Sequence, residues 1–108
     1  MPSFDDFAEA LKSGAKNLAK ELFDGLEEQA QQDTQAFIDH AEQDLQRWTK
    51  LLAMGEITRQ DFSDLVAAKK ALAEIHALTQ AGVALTKLER FRTGLIDLVV
   101  DTACDVFL

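Results

Sequence analysis

Tyrosine is absent from this sequence, while cysteine and proline occur once each and glycine only five times. A single thiol, Cys104, cannot close an intrachain disulfide, so a reducing compartment is expected. With so few glycines and prolines, little of the chain is available for irregular loops, and the many Ala, Leu, Glu, Gln, Lys and Asp residues favour helix. Basic charge is scarce as well. Eleven Lys and Arg against nineteen Asp and Glu leave a net charge of −8. That balance excludes a phosphate backbone as the natural partner and disfavours anionic membrane surfaces. No run approaches the ~18 apolar residues of a membrane span. The opening "MPSFDDFAEA" is acidic where a secretory leader is basic and then apolar. A cytoplasmic chain is therefore the expectation. A hydrophobic fraction of 47% and a charged fraction of 28% are ordinary for a globular protein and argue against disorder.

The clearest local signal lies at mid-chain, in "GEITRQDF", residues 55–62. Gly55 follows the apolar-periodic run ending "WTKLLAM", where a helix calls for a left-handed residue just past its C-terminal cap. Thr58 is placed to cap the next helix, and Asp61, three residues on, to reach back in a short capping box. Ile57 before the cap and Phe62 four residues after it have the spacing of a hydrophobic staple. A helix reversal at 55–57 follows. Residues 51–72, "LLAMGEITRQDFSDLVAAKKAL", also resemble the SHOCT type of short helical hairpin, in which a G-x-I-T-x-x-acid-F segment precedes a helix with spaced Leu and Lys. The resemblance covers about a fifth of the chain. It implies an assembly role and no catalytic residues.

On either side of this turn apolar residues recur with helical spacing, starting from a Ser3/Asp6 cap signal. Phe4, Ala15, Leu26, Phe37 and Trp48 stand eleven apart, as do Ala8, Ala19, Ala30, Ala41 and Leu52. After the turn come Phe62, Ala73, Ala84, Leu95 and Val106, beside Val66, Ala77, Leu88 and Val99. Eleven residues make close to three helical turns, so each column holds one face of a nearly straight helix. The motif itself does not repeat. Gly25 in "FDGLEE" and Gly82 in "QAGVAL" leave two arrangements open. One is a long hairpin with close-packed glycines; the other is four shorter helices in a bundle, with Asp24 and Glu27 restarting the first arm. The hairpin is preferred. It places Gly25 opposite about Leu88 and Gly82 opposite Ala30.

Charge supports two arms side by side. Glu21, Asp24, Glu27, Glu28, Asp33, Asp39, Glu42 and Asp44 are uninterrupted by Lys or Arg, while the opposing stretch carries Lys69, Lys70, Lys87, Arg90 and Arg92 against Glu74 and Glu89. Such pairing sets orientation and register more than stability.

Catalytic constellations are nearly absent. Di-iron bundles need Glu-x-x-His on two helices, but Phe37 precedes His40 by three and Ala73 precedes His76. Asp97, Asp101 and Asp105 form a four-residue-spaced stripe that is read as a solvated helix face, with a hard-cation site shared with Asp5, Asp6 or Glu9 as the sharper alternative. Cys104, among Val99, Val100, Ala103 and Val106 near a helix C-terminus, has nothing to raise its thiolate character. No phosphate loop, His-x-Glu or Cys-x-x-Cys element occurs.

The sequence therefore predicts one all-α domain over residues 1–108. Its form is a long antiparallel hairpin, about 4–54 and 58–106, with arms of ~75 Å. Two helices cannot bury such wide apolar faces alone, so dimerisation into a four-helix bundle is expected, or else a helical hetero-partner. The contact residues named are Phe4, Phe7, Phe37, Trp48, Phe62, Leu65, Leu95, Val99, Val106 and Phe107. The expected function is a non-enzymatic helical interaction or assembly protein without metal or cofactor. The alternative is a protein binding lipid or other hydrophobic surfaces through eleven-residue amphipathic helices, although interfacial helices usually carry a basic polar face.

Overall fold

Local hydrogen bonding sets where two of the helices begin. The computed structural model describes residues 3–69 and 75–108. Ser3 caps α1 (Phe4–Leu22): its Oγ accepts from the Asp6 N–H at 3.2 Å, and its own N–H donates to the Asp6 carboxylate at 3.0 Å. Thr58 and Asp61 form the same reciprocal box at α3 (Arg59–Ala67), with both bonds at 3.0 Å. Each box satisfies amide groups that the first helical turn leaves without partners.

Helix ends are as local in origin. Past α2 (Glu27–Ala53), Gly55 takes φ +74°. There the Gly55 N–H reaches the Leu52 carbonyl at 3.1 Å and the Glu56 N–H reaches that of Leu51 at 2.9 Å. This is a Schellman closure. The same pair of bonds closes α4 (His76–Gln80) at Gly82, φ +84°, before α5 (Leu85–Phe107) begins. Ile57 is half-buried and Phe62 fully buried, both in the core cluster, as a staple requires.

The two long continuous arms do not form. The first arm breaks at 23–26, where Phe23 is extended and Gly25 takes φ +80°. The restart does not use Asp24; Leu26 stands at the cap of α2 with no side-chain cap bond. The second arm is divided among α3, α4 and α5. Lys70, Ala73 and Glu74, used above for the second arm, lie outside the described residues. The longest dimension is 41 Å and the radius of gyration 13.3 Å. A rod of the expected length would reach a radius of about 22 Å. A folded chain of this size has about 13 Å.

Contacts across the chain are nonetheless spaced almost symmetrically about the Gly55 turn. The Phe7 and Phe107 rings lie 5.9 Å apart and those of Phe23 and Phe91 5.8 Å. Leu98 packs over Gly14 and Leu18 over Gly94. Asp44 pairs with Lys69. The chain is then doubled at its Gly25 and Gly82 breaks, so that α1 packs on both α2 and α5, α3 on α5 and α4 on α2. Doubling supplies, within one chain, the extra layer that a two-helix hairpin lacks.

The eleven-residue columns fill the resulting core. Ala15, Ala19, Ala30, Phe37, Ala41, Phe62, Val66, Leu95 and Val99 are all at most 2% exposed. Phe4, Ala8, Leu26, Ala77 and Val106 of the same columns are half-buried, and among the described column residues Ala84 alone is exposed. It lies in the link to α5. The buried hydroxyls of Thr34 and Thr49 donate to the carbonyls of Ala30 at 2.8 Å and Leu45 at 2.7 Å, which satisfies them without breaking α2.

Candidate functional site

Every residue named from sequence as an apolar contact position packs into the chain's own core. Phe7, Phe37, Trp48, Phe62, Leu95 and Val99 are buried; Phe4, Leu65, Val106 and Phe107 are half-buried against the same cluster. The terminal apolar residues that called for a second copy are thus covered by α1 and α5 meeting each other, as Phe7 and Phe107 show. The Lys69 ammonium lies 5.9 Å from the centre of the Trp48 ring while it pairs with Asp44.

Asp44 with Lys69 is an ion pair that joins the two arms. The hydrogen bond from Lys69 holds the Asp44 carboxyl below its ordinary value, burial opposing, with the charges of Lys69 and Arg47 adding to the effect. Asp33 serves another purpose. It is 7% exposed, and its carboxylate accepts from the backbone N–H groups of Ala77 and Leu78, both at 2.9 Å. The first turn of α4, which has no side-chain cap of its own, is thus capped from α2. Nothing in the spacing of Asp33 announces this, because its partners lie 44 and 45 residues away along the chain.

Among the described residues no three His, Cys, Asp or Glu side chains lie together as metal ligands would. His40 and His76 are both exposed. The acidic stripe of α5 is not gathered with Asp5, Asp6 or Glu9: Asp101 pairs with Arg59 of α3, and Asp97 and Asp101 line a polar cleft with Arg59, Gln60 and Ser63. Cys104 is half-buried at the edge of the core.

What the surface does offer is a shallow depression of about 440 Å³ between α1 and α5. Leu18 and Leu22 form one wall; Arg90, Thr93, Gly94 and Asp97 form the other, with Glu89 at the rim. Its origin is a reciprocal fit of glycine and leucine. A Cβ on Gly94 would stand 2.9 Å from Leu18 and one on Gly14 2.6 Å from Leu98, so each glycine lets the opposing leucine lie against the helix backbone. Leu18 and Leu22 are partly buried against the core and keep an edge along the seam. Sequence reasoning missed this seam, since Gly14 and Gly94 are ordinary helical positions until the helices meet. No described helix is long and apolar enough to cross a membrane. Comparison finds no family model, no curated protein and no solved structure that matches this chain.

Proposed function

We propose that this chain is a non-enzymatic helical interaction protein that acts by self-association, with the α1–α5 seam as its contact surface. The observation that carries the reading is the α1–α5 depression, in which the partly buried Leu18 and Leu22 form an apolar wall facing the charged side chains of Glu89, Arg90 and Asp97. Apolar strips with polar rims are where helical proteins meet partners. The partner-binding role no longer rests on the aromatic residues, which the fold consumes internally. A lipid-binding role loses the same faces: Phe7, Phe37, Phe62 and Phe91 are turned fully inward, and a lipid surface would reach them only by opening the bundle. The assembly role implied by the resemblance of residues 51–72 to SHOCT elements points the same way as the seam.

Light scattering across a concentration series tests the reading. The wild-type mass should rise above the 12.0 kDa of one chain, and Leu22→Glu should return it to one chain while circular dichroism keeps its helical signal. A mass of one chain at every concentration would remove self-association.

A further inference from the structure

Two copies that each carry −8 repel at long range. Contact therefore requires a face whose charges balance locally. The exposed face of α2, with Glu28, Asp39 and Glu42, does not qualify. The α5 side of the seam does. Glu89 is already paired with Arg92. Arg90 and Asp97 enter no ion pair among the described residues, and both are exposed. They stand two helical turns apart on one face, opposite in sign, with the exposed Thr93 between them.

Resting on the self-association reading above, we infer that the partner at this seam is a second copy whose α5 crosses antiparallel about a two-fold axis near Thr93. A two-fold contact is self-complementary: if residue i meets j, then j meets i. With the axis midway between Arg90 and Asp97, each Arg90 guanidinium faces the Asp97 carboxylate of the other copy, twice over. Leu18 and Leu22 of both copies then flank the crossing and lose their exposure to water. A parallel arrangement would set Arg90 on Arg90 and Asp97 on Asp97, which like-charge repulsion disfavours.

A charge-reversal cycle on the full chain tests this by sedimentation equilibrium. Arg90→Asp and Asp97→Arg should each raise the dimer dissociation constant by roughly tenfold or more, and the double variant should recover the wild-type value. In a Cys104→Ser background, Thr93→Cys should form a disulfide-linked dimer on mild oxidation, with circular dichroism unchanged. If the wild type self-associates but neither reversal weakens it, or the double variant does not recover, the contact lies elsewhere. This inference then falls while the interaction reading stands. A wild type that stays at 12.0 kDa throughout would overturn both.

Discussion

The carboxylate of Asp33 caps Leu78 across 45 residues, accepting the Leu78 N–H through Oδ2 at 2.9 Å while Oδ1 takes that of Ala77. A helix of five residues with no cap of its own is too short to persist unaided. Its order comes from Asp33 and from burial of Ile75, at the start of the helix, and of Leu78. Asp33→Ala removes both acceptors and should cost about 1–3 kcal/mol. Asp33→Asn, which keeps one acceptor, should cost less. Urea denaturation gives the totals, and amide exchange at Ala77 and Leu78 should accelerate well before that of α1. Uniform acceleration across the chain would mean that α4 does not open separately.

Stability should fall on the acid side. The backbone N–H of Thr58, and then its hydroxyl, hold the Asp61 carboxyl below its ordinary value, while the bond from Lys69 does so at Asp44. Both groups bind protons more weakly folded than unfolded. Their contribution is complete above the unfolded pKa of about 4 and is lost as pH falls through the folded value. Urea midpoints taken from neutral pH to about pH 2 should drop in that window. Asp44→Asn with Asp61→Asn should flatten the drop. An unchanged slope in that double variant would assign acid sensitivity to other carboxylates.

At Gly14 the Cβ position lies 2.6 Å from one Leu98 methyl and 2.9 Å from the other. Gly14→Val puts two further carbons into that contact. Although valine is the better helix former, the α1–α5 seam must part, and a net loss of about 1–3 kcal/mol is expected. Thermal unfolding measures it. A stabilised variant would show that Leu98 has room to turn away.

Phe37 is 2% exposed in the middle of α2. Phe37→Ala should cost about 3–5 kcal/mol, and it should do so equally at all protein concentrations, since the ring is covered by its own chain. A cost that vanished on dilution would place Phe37 at an interface between copies.

Much of the architecture is legible along the chain. The Ser3 and Thr58 boxes, the Gly55 closure and the buried columns each depend on residues within about three helical turns of one another, so local spacing encodes them. Gly25 and Gly82 mark two possible breaks by the same means, and sequence periodicity runs straight through both.

Whether those glycines break their helices is decided elsewhere. Continuity keeps a few more backbone hydrogen bonds; a fold back at Phe23–Leu26 gives α1 a place against α2 as well as α5. That burial depends on helices far apart in sequence, and no single window contains both sides of the comparison. The same holds for Asp33, which reads as one acid in an acidic run until α4 presents its amides. It holds too for Gly14 and Gly94, whose missing side chains matter only once Leu98 and Leu18 arrive. Sequence alone determined the helical content, the central turn and which faces are apolar. The tertiary structure decided that those faces meet within one chain, because doubling it buries what a straight hairpin leaves wet.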